Sequence, residues 1–561
     1  MSFKHLTQAF AVSPQVTDSD IIEAKQAGFM TVIDARPDGE DAGQPRAAEI
    51  AALAEAQGLS FTHIPVTTGA ITDADIAKFA AALKAAKGPV LGYCRSGTRA
   101  AMMWALAQAG QMPAAEIFDT VAAAGIDISS VKPKILALAQ AQSDGEAAGT
   151  KTYDVVIVGG GSAGIATAAS LLKRRGSLTI AVIEPSEAHY YQPGWTLVGA
   201  GVFTQDVTRR NTADVMPDKV TWVRQGAAGF APELNEVILA DGSSVRYRVL
   251  VAAPGLKLNW NAIPGLSEAL GRNGVTSNYR FDLAPYTHNL VTNLKSGRAI
   301  FTQPPMPIKC AGAPQKAMYL SCDIMRETGA LANVEVEFHN AGAVLFGVAA
   351  YVPALMEYIK KYNIHLNFES KLVAVDGAAR VATFERKNAD GSSETIQREF
   401  DMLHAVPPQV APDFVAASAL AGPAGFIEVD AGTLQHPRFA NIYSLGDAAA
   451  TTNAKTAAAA RAQAPTVAIN VLATLDGKSP SVTYDGYGSC PLTVERGKIV
   501  LAEFGYGGKL MPSFPAWLID GTQPTRAAWF LKDRILPFVY WQGMLKGREW
   551  MIDPAKIEQA A

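Results

Sequence analysis

Cysteine is scarce in this chain: Cys94, Cys310, Cys322 and Cys490 are spread over 561 residues. Thiols so few and so dispersed exclude a disulfide-built scaffold and leave each one to be weighed for its own chemistry. Long apolar runs are missing too, since no stretch reaches 18 apolar residues without a charge, which excludes an obvious membrane-spanning helix. The start, MSFKHLTQAF, lacks an apolar core followed by a small-residue cleavage site, and this points to a cytoplasmic protein. With a net charge of -3 there is no basic surplus to hold nucleic acid. There is no internal repeat, and no metal site is expected.

What is present is enough chain for about three to four compact units. The composition, 49% hydrophobic and 18% charged, lets each bury a core. The clearest break is AQAQSDGEAAGTK, residues 139–151, which reads as a linker. Before it, in residues 1–138, apolar strands (MTVIDA, LSFTHIPV, GPVLGYC) alternate with Ala-rich amphipathic helices, as in a small α/β domain with a largely parallel sheet.

After it, YDVVIVGGGSAGIATAASLLKRR joins a buried strand, a glycine turn and an amphipathic helix. Gly159 permits the tight turn, Gly161 lets the backbone approach a pyrophosphate, and Gly164 lets helix and strand close up. Ser162 and Ala163 open the helix, whose free N–H groups face the anion. Glu184 ends the next strand, LTIAVIEP, 20 residues beyond Gly164, and suits a ribose hydroxyl.

Two later segments point to FAD at this first site. VLVAAPGLKLNW, with Pro254 and Gly255, resembles the Ala-Thr-Gly turn of glutathione-reductase-like flavoproteins, although Ala253 and Pro254 depart from it. NIYSLGDAAA, with Gly446 and Asp447, resembles their second FAD motif, in which the carboxylate holds the ribityl chain. Lys455 lies a few residues on; it is placed near the flavin N1 edge, with an exposed surface lysine as the other reading. VEVEFHNAGAVLFGVAA reads as strand, turn and helix of a second nucleotide domain, but Gly342 and Gly347 alone do not make the three-glycine spacing. NAD(P)H binding is therefore not expected there.

PPMPIKCAGAPQKAMYLSCD and YDGYGSCPL each set a cysteine in a Gly/Pro turn, whereas buried structural cysteines favour apolar helical faces. Lys309, beside Cys310, favours its thiolate. Cys322 continues a helical stretch from Tyr319 and reads as core. Through KCAGAPQKAMYL, SCPL and the FAD motifs in order, the chain from Thr152 to its end resembles the sulfide:quinone oxidoreductase family, in particular its mitochondrial branch. The resemblance implies that Cys310 and Cys490 form the redox pair, with sulfide leaving a persulfide on Cys490 and Cys310 passing two electrons to the flavin. It also implies a quinone as oxidant and a small thiol or sulfite as sulfur acceptor.

Four of the eight tryptophans, Trp517, Trp529, Trp541 and Trp550, crowd into the last 45 residues. AAWFLKDRILPFVYWQGMLKGR mixes that aromatic face with Arg526, Lys532, Arg534, Lys546 and Arg548 against Asp533 alone, a pattern that lies on anionic lipid without spanning it. The expectation is peripheral attachment to the inner face of the cell membrane. A dimer or domain interface uses the same aromatics.

In the first domain Cys94 stands at a strand end in LGYCRSGTRAAMMWALA, where the loop N–H groups and the helix start favour a thiolate and cradle an oxyanion, Arg99 completing the clamp. FAVSPQVTDSDI, GFMTVIDARPDGE and YCRSGTRA resemble the small phosphatase-like family found beside beta-lactamase-like hydrolases. Tyrosine phosphatases place five residues between Cys and Arg; here there are only four, Arg95 to Thr98, Tyr93 replaces the usual His, and residue 100 is Ala. The shorter loop resembles that of rhodaneses, which implies a sulfurtransferase, with a phosphatase or an inactive scaffold as alternatives.

The fold expected is thus α/β: a phosphatase-like or rhodanese-like domain (1–138), the linker, and tandem Rossmann-type domains. These are an FAD domain (152–290 with 430–475), a degenerate second dinucleotide domain (291–429) and a C-terminal redox-Cys, membrane and quinone region (476–561). Rival readings are an NAD(P)H-dependent flavin disulfide reductase with a tyrosine-phosphatase-like domain, and a membrane-surface regulatory protein that keeps FAD without turnover.

Overall fold

The structure, a computed structural model, describes residues 3–67, 69–109, 111–138, 152–388 and 390–557. The chain divides into two compact units, Met1–Lys151 and Thr152–Ala561. The linker read over 139–151 lies outside the described residues.

The first unit is built on a five-stranded sheet in the order Lys4–His5, Phe10–Ser13, Val90–Tyr93, Thr31–Asp34, Ser60–His63. Only the first pairing is antiparallel. Three of its strands are buried throughout and read as continuous apolar runs, as strands covered on both faces do. Helix Thr98–Gln108 is buried from Arg99 to Ala107, which fixes the loop that precedes it.

The second unit holds two such sheets. The first runs Val220–Val223, Ile180–Ile183, Tyr153–Val158, Ser244–Ala252, then a hairpin of Glu236–Leu239 and Ala227–Ala231. Ile442–Ser444 returns from far along the chain to pair in parallel with Ser244–Ala252. That return brings the Gly446–Asp447 turn back beside the glycine turn after Val158. The second sheet is all parallel: Val275–Thr276, Met402–His404, Gly297–Gln303, Val334–Asn340, His365–Asn367. Val275–Thr276, read above as part of the FAD segment, therefore belongs to the second sheet, where it pairs with Met402–His404. An antiparallel sheet of Ser370–Asp376, Val381–Lys387 and Ser393–Glu399, a hairpin of Gly488–Glu495 and Lys498–Phe504 and a helical run over residues 526–546 also belong to the unit. That run contains two wider π-type turns, Leu531–Ile535 and Val539–Gly543.

Candidate active site

The glycine turn after Val158 is shaped by backbone contact. Gly159 has φ +99°, and a β-carbon there or at Gly164 would collide with the carbonyls of Ala253 and Gly159 respectively. Gly161, by contrast, faces open space and lines a cavity of about 1060 Å³. Glu184 accepts the Gly160 N–H at 2.8 Å and the Ser186 N–H at 2.7 Å, which orients its carboxylate on the same cavity wall. Ser162, Ala163, Pro254, Gly255, Gly446, Asp447 and Lys455 line the cavity too. Burial raises the Asp447 carboxyl above its ordinary range, with Lys309 and Lys455 partly offsetting it.

Lys455 is buried, which excludes the surface reading; its Nζ donates to the Asp447 and Ala449 carbonyls at 2.9 and 2.7 Å, and burial holds it down to about 8. Among the described residues five buried polar atoms on the cavity wall, Trp195 Nε1, Thr196 Oγ1, Asn278 Oδ1, Arg461 Nε and Thr466 Oγ1, have no partner in the protein. Buried polar atoms are ordinarily satisfied, so these fit the polar edges of a bound dinucleotide.

Cys310 opens onto this cavity, in a left-handed backbone conformation, φ +49°. Its N–H is held by the Lys455 carbonyl at 2.8 Å, and Tyr279 Oη donates to the carbonyls of Lys309 and Cys310. Cys490, 180 residues later, comes in on the hairpin strand Gly488–Glu495 and places its Sγ 4.0 Å from Cys310 Sγ. Both are free thiols. The hydrogen bond from Cys490, and then the Lys316 ammonium 3.1 Å away, pull the Cys310 thiol well below its ordinary range in spite of burial. The same bond, with burial, pushes Cys490 well above. Of the two sulfurs, Cys310 is thus the one whose thiolate is favoured.

Lys309 keeps a Coulomb interaction with Cys310 but does not contact its sulfur. Its Nζ turns to Gln192 Oε1 at 2.5 Å, and the cation on the sulfur is Lys316, one turn into helix Ala313–Glu327. The sequence signal for Lys316 was its place in a helix that begins at the cysteine turn. Cys322, deeper in that helix, is fully buried in the core, and burial raises its thiol.

The tail divides between two faces. Lys532 is buried, its Nζ on the Pro193 carbonyl at 2.8 Å; burial and the neighbouring Lys316 hold it down to about 7. Trp541 is buried against His189 and Tyr191 with the Arg210 guanidinium 4.2 Å above its ring. Neither belongs to the outer face to which the sequence pattern assigned them, because the helix turns them inward. Tyr540 Oη bonds His189 Nε2 at 2.6 Å and Ser162 Oγ at 2.7 Å, so the tail clamps the glycine turn directly. Trp517, Phe530, Ile535, Phe538 and Trp550 stay exposed. Among the described residues no helix is long and apolar enough to cross a membrane.

In the second sheet, the segment after Val334–Asn340 folds back on itself. Asn340 bonds the Gly342 N–H and the Val344 carbonyl, and Leu345, Phe346 and Val348 enter the core. Apolar side chains thus fill the space beyond the strand end, where a dinucleotide pyrophosphate would sit in the first sheet's fold.

In the first unit Cys94 is buried at the end of strand Val90–Tyr93 and accepts the Gly97 N–H at 3.2 Å. Gly97 (φ +89°) turns the loop into helix Thr98–Gln108. Arg99 reaches back to the Cys94 sulfur, and its guanidinium is also held by Glu40 and the Val66 carbonyl. Tyr93, standing where phosphatases carry His, is buried on the Asp34 carboxyl.

Residues 2–111 match the family described as Beta-lactamase hydrolase-like protein, phosphatase-like domain, and residues 153–302 match Pyridine nucleotide-disulphide oxidoreductase. Over 399 residues, 70% of this chain and 86% of the other, the chain is 41% identical to the protein of Dictyostelium discoideum named Sulfide:quinone oxidoreductase, mitochondrial. Over 130 residues, 23% of this chain and 30% of the other, it is 35% identical to the Beta-lactamase hydrolase-like protein of Xylella fastidiosa. The fold of the sulfide:quinone oxidoreductase of Aquifex aeolicus superposes with a TM-score of 0.60 at 18% identity, covering 72% of this chain and 97% of that one.

Proposed function

From Thr152 onward the chain belongs to the sulfide:quinone oxidoreductase family, and on that premise we propose how its residues divide the work. The protein is an FAD-dependent oxidoreductase that oxidises sulfide at the expense of quinone, and it carries a phosphatase-like domain ahead of that unit. Bound FAD supplies the two-electron exchange between sulfur and quinone.

Cys310 and Cys490 are the redox pair. With the two sulfurs joined, HS⁻ attacks the Cys490 sulfur, giving Cys490–S–SH and the Cys310 thiolate, which Lys316 stabilises. A small thiol or sulfite then takes the outer sulfur from Cys490, and rejoining of the two sulfurs releases two electrons towards quinone. Lys532 Nζ, titrating near neutral pH on the same cavity, exchanges a proton as sulfide enters and quinol leaves. Gly159, Gly161, Ser162, Ala163, Gly164, Glu184, Pro254, Gly255, Gly446, Asp447 and Lys455 hold the cofactor. The single observation that carries the assignment is the 4.0 Å approach of the two sulfurs beside Lys316, at the cavity behind the glycine turn.

The exposed aromatic and basic face of the tail lies on the membrane and admits a lipid-soluble quinone. In the first unit Cys94 takes up sulfane sulfur, with Arg99 beside it; the four-residue loop favours this over phosphate hydrolysis. The test is anaerobic stopped-flow spectroscopy with sulfide, then a short-chain quinone. Sulfide must bleach the flavin and quinone restore it; Cys310→Ser and Cys490→Ser must abolish bleaching, and Cys94→Ser must leave it intact. A wild-type flavin that stays oxidised in sulfide overturns the assignment.

A further inference from the structure

Three guanidinium groups and two carboxylates meet at the mouth of the Cys94 loop, and one of the carboxylates takes most of the bonds. Glu40 grips Arg99 with both oxygens, accepting from Nη1 and Nη2 at 2.7 Å each. The second proton of Arg99 Nη1 goes to the Val66 carbonyl at 2.7 Å. Glu40 also accepts from Arg36 Nε at 2.9 Å, while Arg36 is itself tied to Gln15 and Asp41. Arg36 and Arg99 are almost fully buried, with side chains 4% and 7% exposed, so neither can swing away. Asp41 takes up Arg95 at 3.2 Å as well. The bonds to Arg99 leave one edge of its guanidinium, Nε and the second Nη2 proton, and the group also touches the Cys94 sulfur. The two Arg99 bonds and the Arg36 bond hold the Glu40 carboxyl down to about 2, so it is ionised at any working pH.

We propose that Glu40 is a positioning residue for Cys94: it aims the remaining edge of Arg99 at the sulfur and cancels the guanidinium charge, so that the loop takes singly charged sulfur donors in preference to dianions. An arginine free of its carboxylate would offer a full positive charge to phosphate or thiosulfate. With Glu40 in place, a dianion meets the Glu40 and Asp41 carboxylates in a loop with little net positive charge to offset the repulsion. A thiol persulfide, which carries a single charge as R–S–S⁻, meets a smaller penalty, and the transfer balances without further reactants: Cys94–SH and R–S–S⁻ give Cys94–S–S⁻ and R–SH. This inference rests on the reading of Cys94 as a sulfur acceptor.

The test follows alkylation of Cys94 by iodoacetamide in the full chain, residue by residue, by mass spectrometry. Protection by inorganic phosphate and by thiocyanate is compared in the wild type, Glu40→Gln and Glu40→Asp. In the wild type thiocyanate must protect at lower concentration than phosphate. In E40Q phosphate must protect at a roughly tenfold lower concentration, the scale expected when one like charge is removed a few ångströms away. E40D, which keeps the charge, must retain the wild-type phosphate constant. Equal phosphate constants in wild type and E40Q, or phosphate protecting the wild type better than thiocyanate, overturn the inference; the second comparison needs no variant to fold. A parallel arm offers a thiol persulfide and thiosulfate as donors and looks for one added sulfur on the Cys94 peptide. Faster loading from the persulfide supports the proposal. No loading from either donor overturns the reading of Cys94 as acceptor, and the anion constants then decide on Glu40 alone.

Discussion

Lys316 Nζ sits 3.1 Å from Cys310 Sγ, although Lys309 is the lysine next to that cysteine in the chain. The helix beginning at Ala313 carries Lys316 back over the turn, while the left-handed Cys310 backbone points the thiol towards it. Replacing Lys316 by Met removes the cation in contact with the sulfur and leaves the Cys490 hydrogen bond and the charge of Lys532 to oppose burial, so the Cys310 thiol titrates at higher pH. Residue-resolved alkylation of the reduced protein at pH 7 is expected to slow at Cys310 by about tenfold or more, because the thiolate fraction falls about tenfold for each pH step by which the titration midpoint rises above the working pH. An unchanged pH profile would refute the role given to Lys316.

Gly312 lies against the second sulfur. A β-carbon at this position would stand 2.5 Å from Cys490 Sγ and closer still to Leu492. Gly312→Ala therefore pushes the hairpin strand away from the Cys310 turn and opens the 4.0 Å gap. The expected result is a loss of sulfide-driven flavin bleaching by about a hundredfold, in line with the cost of a roughly 1 Å misplacement of reacting groups. FAD content should be unchanged, because Gly312 is remote from the glycine turn in sequence and does not line the cavity.

Tyr540 joins the tail to the glycine turn through His189 and Ser162. Tyr540→Phe deletes both bonds and leaves the buried His189 Nε2 without its partner. The cost is about 1–3 kcal/mol, to be read as weaker FAD retention in a titration of apoprotein with FAD. Retention equal to the wild type would limit the tail to a membrane role.

Acid stability follows from the same histidine. Burial holds the His189 imidazole down to about 4 from 6.5. In the unfolded chain it gains its proton near 6.5, so the stability it contributes is complete above that pH and is lost as pH falls through 4. The contribution is about 3 kcal/mol at neutral pH. His404, also buried and held down to about 4, adds in the same window. Denaturant melts from pH 7 to 4 should show falling stability, with a shallower slope in His189→Gln; equal slopes would mean that His189 is protonated in the fold.

Membrane attachment depends on the outer face of the tail. Trp517, Phe530 and Phe538 are 84%, 59% and 55% exposed. Changing all three to Ser should weaken binding to anionic vesicles by more than about tenfold, since each apolar side chain buried in lipid is worth about 1.5–3 kcal/mol. Trp541→Phe, on the inner face, should leave vesicle binding as it is.

Much of this architecture was legible in the residues because its signals are local. The turn at Gly159, Gly161 and Gly164 follows from strand, glycine and helix in immediate succession, and Cys94 at a strand end before a buried helix follows from the same kind of pattern. Lys532 and Trp541 were misplaced because a charged or aromatic residue in an amphipathic helix carries no mark of which face will turn inward, least of all where π-type turns shift the register. Lys455 was ambiguous for a similar reason: only the meeting of its segment with the Cys310 turn buries it.

The sequence by itself determined the α/β class, the nucleotide turn and the cysteines worth weighing, since strand and helix periods, tight turns and residue chemistry are properties of neighbours along the chain. The tertiary structure alone decided which charge meets which sulfur. The 180 residues between Cys310 and Cys490 leave no local trace of a 4.0 Å approach, and Glu40, 59 positions before Arg99, declares its grip on that guanidinium only when two loops at the same sheet edge are folded together.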